Sequence, residues 1–197
     1  MKELKVKLTF IEPILGTSPA NPDIYREFIG SHAPDAASVE DEVAALGADA
    51  VAEKSMTIFP RLDDGTPFLY DYQIKGFFKD TCGGLRKVKD SSSSKIKAYK
   101  KEIDKLIFPE PRTIPILFDG EIKECQRPLR AQTAQGELVS LAMSEEIPAG
   151  ATCEFTVVCL CDDHIDVVRD WLDYGRFSGI GQWRNSGKGR FRWEEIE

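Results

Sequence analysis

The most regular helical face in this chain is set by Ile74, Phe77, Phe78, Cys82 and Leu85, which fall at i, i+3, i+4, i+8 and i+11. Lys75, Lys79 and Arg86 follow at i, i+4 and i+11, so a cationic stripe runs beside the apolar one. The segments around this helix are short and alternate with a period of two. Leu4, Val6, Leu8 and Phe10 alternate against Lys5, Lys7 and Thr9, as in a half-buried strand. A second helix is expected after a capping Asp162, with Ile165, Val168, Trp171 and Leu172 in one stripe and Gly175 at its end. Helices of this kind, one after the early strands and one before the last, bury their stripes against a sheet, which gives an α+β fold.

The order of elements fits a ferredoxin-like (RRM-like) β-α-β-β-α-β core in an antiparallel sheet, carrying insertions within a single domain over 1–197. Met56 to Phe59, Glu137 to Met143, Thr152 to Cys161 and Gly189 to Ile196 read as strands. Thr113 to Phe118 and Glu121 to Cys125 read as a hairpin around Asp119-Gly120. Asp63-Asp64-Gly65 and Pro148-Ala149-Gly150 are turn signals. Asp23 caps a short helix, Ile24 to Ile29, and an acidic, alanine-rich stretch opens at Pro34-Asp35. An acidic helical insertion is therefore expected around 20–55. Gly83-Gly84 weakens the end of the first helix, Ser91 to Ser94 reads as a flexible loop, and Lys95 to Ile103 as a basic helix. Arg127 to Gly136 holds Arg127, Arg130 and no acid, and is expected to project as a loop or hairpin around 126–138.

The chain is net −7, which excludes indiscriminate nucleic-acid binding by the whole surface. Arg86 to Lys105 is +5 and Gly175 to Trp193 is another +5, which leaves about −17 for everything else. Asp35 to Glu53 alone holds six acids and no base. The N-terminal alternation is a strand pattern, not a signal peptide, and no run reaches the ~18 apolar residues that span a bilayer. A cytoplasmic protein without a membrane partner is expected. Five cysteines without zinc-type spacing point to reduced, buried thiols.

Little in the chain suits catalysis. His32 and His164 are its two histidines, the first beside Pro34 and the second among Asp162, Asp163 and Asp166, where a capping role is expected. Cys159 and Cys161 share a strand face but lack a second pair, so core packing is expected instead of a metal. There is no phosphate-binding P-loop, dinucleotide glycine motif or nucleophile elbow, and no cofactor is implied.

Binding chemistry is better represented. Tyr174 to Trp193 holds five glycines, four arginines, a lysine and two tryptophans. Glycines at such positions free the backbone for positive φ and bring amides close to a ligand. Arg184, Lys188 and Arg190 suit phosphate, while Trp183 and Phe191 could stack on bases. In a ferredoxin-like fold Lys75, Lys79, Arg184, Lys188 and Arg190 would share a groove with the Gly187 and Gly189 amides, and Gly181 would shape the loop.

Several separated stretches resemble the RAMP superfamily, the ferredoxin-like RNA-binding subunits of CRISPR effector complexes. Leu69 to Lys79, with Ile74-Lys75-Gly76, is similar to the segment that opens the family's first helix. Glu145 to Phe155 is similar to the turn and strand of the type III backbone subunits. Gly179 to Phe191 resembles the C-terminal glycine-rich loop, and Arg127 to Gly136 sits where those subunits place a projecting hairpin. The lead-in Asp71-Tyr72-Gln73 departs from the family pattern, and the acidic insertion has no counterpart in it. The compact chain also resembles proteins encoded in phage genomes, which implies a stand-alone or virus-borne relative.

The resemblance implies a non-catalytic protein that binds single-stranded RNA through Lys75, Lys79, Arg86, Arg127, Arg130, Gly181, Trp183, Arg184, Gly187, Lys188, Gly189 and Arg190. The −17 remainder favours a second reading, a module that docks on a nucleic-acid-binding complex or self-associates into a filament. A metal-independent ribonuclease is the third, and would need Asp23 or Asp35, neither of which sits in a recognisable motif.

Overall fold

The computed structural model describes residues 1–19, 56–133 and 136–197, the backbone alone between 129 and 141. The helix expected after Asp23 and the acidic stretch from Pro34, with His32 and Asp35, lie outside the described residues. The strands are β1 Lys2–Phe10, β2 Ile14–Leu15, β3 Ser18–Pro19, β4 Thr57–Ile58, β5 Phe68–Tyr70, β6 Ile107–Glu110, β7 Thr113–Pro115, β8 Lys123–Thr133, β9 Gly136–Ile147, β10 Thr152–Cys159 and β11 Phe191–Glu195. The helices are α1 Asp71–Leu85, α2 Tyr99–Leu106 and α3 His164–Asp173, so the fold is α+β with antiparallel sheets.

The chain divides into two compact units. The first takes residues 1–14, 60–121 and 147–197; the second takes 15–59 and 122–146, which covers both segments expected as insertions. In the first unit the sheet runs β11-β1-β10-β6, every pair antiparallel. Alternation puts Leu4, Val6, Leu8 and Phe10 on one face of β1, in register with Val157, Phe155 and Cys153 of β10 and Phe191 of β11. All of these are at most 4% exposed. The α1 stripe of Ile74, Phe77, Phe78 and Cys82 and the α3 stripe of Ile165, Val168, Trp171 and Leu172 are buried with them. Ring contacts tie the layers together: Phe78 to Trp171 (5.5 Å), Phe77 to Phe191 (5.1 Å) and Phe10 to Phe191 (6.2 Å). Edge-on and tilted pairs at these separations suit aromatic quadrupoles.

In the second unit β8 and β9 form a long hairpin, Lys123 opposite Glu146 and Thr133 opposite Gly136. Its described parts include Thr57 of β4, parallel to β9, whose hydroxyl meets that of the buried Ser144 at 2.7 Å. The hairpin expected around Asp119-Gly120 is therefore not the one formed. Thr113–Pro115 pairs instead with Phe68–Tyr70, placing the buried Ile114 opposite Leu69. Lys123 onward gains an eleven-residue register with β9 that a short Asp-Gly hairpin would forfeit.

The serine run is the second correction. Ser92–Lys95 is a 3₁₀ turn, and every serine of the run makes a hydrogen bond. The Ser91 hydroxyl donates to the Leu85 carbonyl (2.7 Å), and that of Ser94 to the Ser91 carbonyl (2.6 Å). The Ser92 hydroxyl donates to Asp170 (2.5 Å), while Ser93, fully buried, accepts from the Trp171 indole N–H (2.9 Å). Short polar side chains that bond local backbone give a loop an ordered conformation that composition alone does not reveal. The basic helix begins later than expected, at Tyr99. Asp162 does not cap α3 with its side chain; Asp163 is the N-cap and makes no side-chain cap bond.

Cys153 and Cys159 line the core, where burial pushes their thiols up to about 12 and about 11 from 9.0. A raised folded pKa means that this stability is full below the unfolded value of 9.0 and is lost as pH climbs from there through the folded values. We expect a thiol reagent at neutral pH to modify Cys161, which is half-buried, and to spare Cys153 and Cys159 until the protein unfolds. The urea midpoint should fall once the pH passes 9.0. Rapid native labelling of Cys153 would contradict both expectations.

Candidate nucleic-acid interface

The C-terminal loop begins where α3 passes into a 3₁₀ turn, Tyr174–Arg176. A Cβ on Gly175 would lie 2.2 Å from the Phe191 ring, and one on Gly179 would lie 2.2 Å from the Lys188 carbonyl oxygen. At Gly189, φ is +70°, and a Cβ would sit 1.9 Å from the Ile180 carbonyl oxygen. Two backbone runs, around Ile180 and around Gly189, are thus pressed together, joined by Ile180 N–H to the Gly189 carbonyl (3.0 Å). The Gly189 amide donates to the Pro13 carbonyl (2.8 Å), and the Gly187 amide to the Arg184 carbonyl (2.9 Å).

Those last two bonds overturn one expectation. The Gly187 and Gly189 amides are consumed inside the protein and do not face a phosphate. Phe191 is corrected too: it is fully buried between Phe10 and Phe77 and offers no stacking face. Gly175, Gly179 and Gly189 serve the loop's own close packing, while Gly181, Gly187 and Gly189 take positive φ.

What the tight base displays is Trp183. Its φ of 57° is left-handed, a conformation bulky side chains rarely adopt, and the residue is 38% exposed. Backbone strain of this kind persists where the surroundings over-determine it, and it clusters at binding sites. The Ser186 amide and hydroxyl both donate to the Trp183 carbonyl (3.0 and 2.9 Å), closing a 3₁₀ turn over Arg184–Ser186. The Arg184 guanidinium pairs with the Asp80 carboxylate on α1, so the loop is fastened to the helix. Lys188 and Arg190 are half-buried, and the Arg190 guanidinium passes beside Gly187.

The cationic stripe of α1 is turned to other uses. Lys79 pairs with Asp104 of α2 at 2.6 Å. Lys75 reaches the Asp104 carbonyl (3.4 Å), and its ammonium lies 4.3 Å from the centre of the Phe108 ring. Asp104 thus takes both lysines on the α2 side, while Asp80, the next residue along α1, takes Arg184. Arg86 lies over the Tyr99 ring at 5.0 Å. Arg127, on β8, is 5% exposed, and burial lowers its pKa, so it does not present a surface cation. The backbone of Arg130 pairs with Val139, and its side chain lies outside the described residues. Of the five cations expected in one groove, Lys75 and Lys79 are engaged at Asp104, and Arg184, Lys188 and Arg190 share the loop with Trp183.

Asp80 and Asp104 are the residues that sequence reasoning missed. Both lie inside segments read for their positive charge, and only the packing of α1 against α2 and the loop assigns them. His164 is buried, with its Nε2 3.6 Å from the Glu102 carboxylate, and so packs toward α2 in place of the expected capping role. Among the described residues no three His, Cys, Asp or Glu side chains are placed to hold a metal ion. A cavity of about 570 Å³ is lined by Glu3, Asp71, Glu110 and Arg112, an acidic surround that repels a polyanion. No helix among the described residues is long and apolar enough to cross a membrane.

No family model and no curated protein matches the chain. Among solved structures, the chain is similar to one in the cryo-EM structure of the type III-B Cmr-beta bound to cognate target RNA, with a TM-score of 0.57 and 12% identity. The match covers 100% of this chain and 60% of that one, so this chain spans less than two thirds of its structural relative. At that identity the likeness is one of fold.

Proposed function

We propose that this protein is a non-catalytic, RAMP-like component that binds single-stranded RNA, with Trp183 as the stacking platform and Arg184, Lys188 and Arg190 as the neighbouring cations. The observation that carries it is the display of Trp183: a half-exposed indole held in a left-handed conformation on a loop whose base is locked by glycine packing and backbone hydrogen bonds. A rigid aromatic next to a guanidinium is the arrangement that holds an unpaired base and its phosphate. The strand order β11-β1-β10-β6, with α1 in the connection from β1 to β6 and α3 in that from β10 to β11, supports a ferredoxin-like core for the first unit. The likeness in fold to a chain of an RNA-bound Cmr assembly adds support.

Trp183→Ala should weaken binding to a single-stranded oligouridine by about 1–3 kcal/mol, the usual worth of one base–aromatic stack, which is roughly five- to 150-fold in Kd. Fluorescence anisotropy with a labelled oligonucleotide measures it. Arg184→Gln should add a loss that shrinks at high salt. Equal affinity in wild type and Trp183→Ala would sink the reading. A protein-docking role is favoured instead by the −17 of the chain outside its two basic segments, and would show as no RNA affinity together with capture of a basic partner.

A further inference from the structure

We infer that Lys87, Lys89, Lys95 and Lys97 form a second phosphate-binding surface, which takes an RNA strand onward from the Trp183–Arg184 loop along α1. The inference rests on the proposed RNA-binding function and extends it to a surface that neither the glycine-rich loop nor the α1 cations include. All four side chains are exposed, and none makes an ion pair among the described residues. Of the acids nearby, Asp104 is paired with Lys79, Glu102 lies beside His164, and the exposed Asp170 accepts from the Ser92 hydroxyl and keeps its charge. Asp90 is exposed as well. Four lysines against Asp90 and Asp170 leave the surface net positive on a chain that is net −7.

The backbone of this lysine-rich segment is held by its serines. Ser91 ties the segment to the end of α1, Ser94 closes the turn, and Ser93 anchors it in the core through the Trp171 indole. The Arg86 guanidinium over Tyr99 holds the other side of the same fold-back. Because the backbone that carries the lysines is already held, a bound polyanion orders only their side chains.

The path between the two surfaces is set by helix geometry. Asp80, which holds Arg184, and Lys87 lie on one face of α1 and its terminal turn, about 10 Å apart along the axis. Gly76 and Gly84 share that face, and a Cβ at either would meet nothing within 4 Å, so internal packing demands glycine at neither. Between Asp80 and Lys87 that side of the helix carries Gly83, where a Cβ would lie 3.0 Å from the Tyr99 hydroxyl, and Gly84, which faces open space. A strand leaving Trp183 in this direction arrives at Lys87. Exposed cations without partners suit the phosphates of a chain, whereas a folded acidic protein would also need an apolar anchor, and the segment's exposed large apolar side chain is Val88 alone.

The test compares the full-length protein with K87E/K89E/K95E/K97E and with Trp183→Ala, using a short oligouridine that occupies the loop alone and a long one. The quadruple variant is expected to lose about tenfold or more in affinity for the long strand, with a logarithmic salt slope shallower by about 0.7 per phosphate contact removed. Its binding to the short strand should be unchanged. In the wild type, the long strand should shield these lysines from acetylation, read by mass spectrometry, and the short strand should not. Unchanged affinity and slope in the quadruple variant, with Trp183→Ala still impaired, overturns the second surface and leaves the loop reading standing. Shielding of the lysines by an acidic protein but not by RNA overturns it as well. If neither variant changes RNA binding, both readings fall together.

Discussion

Gly189→Ala should cost about 3–5 kcal/mol of stability, from backbone strain together with two broken buried hydrogen bonds, and should remove RNA binding even where the protein stays folded. Two costs combine. A left-handed φ of +70° is open to glycine and penalised by about 1–2 kcal/mol for a residue with a Cβ. The larger cost is collision: the new methyl would lie 1.9 Å from the Ile180 carbonyl oxygen, which is backbone and cannot swing aside. The two runs must separate, and with them go the bonds from Ile180 to Gly189 and from Gly189 to Pro13. Gly187→Ala is the control. Its φ is +95°, yet the nearest atom to its Cβ would be 3.4 Å away in the flexible Arg190 side chain, so it should bear the conformational penalty alone. Urea midpoints of the two variants check the difference. If they match, the close crossing is not what the loop depends on.

That contrast also explains how far the sequence could be read. The glycines of 175–189 were conspicuous, but a glycine that admits a ligand and a glycine that admits its own chain look the same in one dimension. The choice rested on the Pro13 carbonyl and the Phe191 ring, one near the far end of the chain and the other in a strand whose burial comes from α1 and β1. The central strands and both long helices were legible, because Leu4 to Phe10, Thr152 to Cys159 and the α1 and α3 stripes each repeat one period over many residues.

Where a local signal was short, tertiary pairing overrode it. Asp119-Gly120 is a good turn pair, but Ile114 gains more opposite Leu69, and the chain beyond it gains more along β9. Lys75 and Lys79 were correctly placed on one side of α1; the direction they turn was decided by Asp104, which no reading of charge along α1 contains. Two of the cations expected to hold RNA thus hold α2, while Arg184, anchored at Asp80, stays with the exposed indole.

The second large effect lies in the core beneath the lysine surface. Trp171→Ala is expected to destabilise the protein by about 3–5 kcal/mol, the usual cost of emptying a fully buried aromatic site. The indole is 0% exposed and packs on Phe78 at 5.5 Å, so neighbouring side chains cannot reach its volume without leaving α1. Ser93→Ala isolates the polar half of the contact: it strands the indole N–H in the core, and should cost about 1–3 kcal/mol. Trp171→Phe removes the donor and part of the volume, so Trp171→Phe combined with Ser93→Ala should cost less than the sum of the two single changes, since the second has no buried donor left to strand. Chemical denaturation of the four proteins closes this cycle. Amide exchange then links it to the surface above, because the amides of Ser94 and Ile96 should exchange faster in Ser93→Ala while those of β1 and β10 keep their protection. Uniform loosening across the sheet would mean that Ser93 supports the core as a whole; loosening confined to the serine turn would mean that one hydrogen bond to Trp171 keeps the lysine segment in its fixed form.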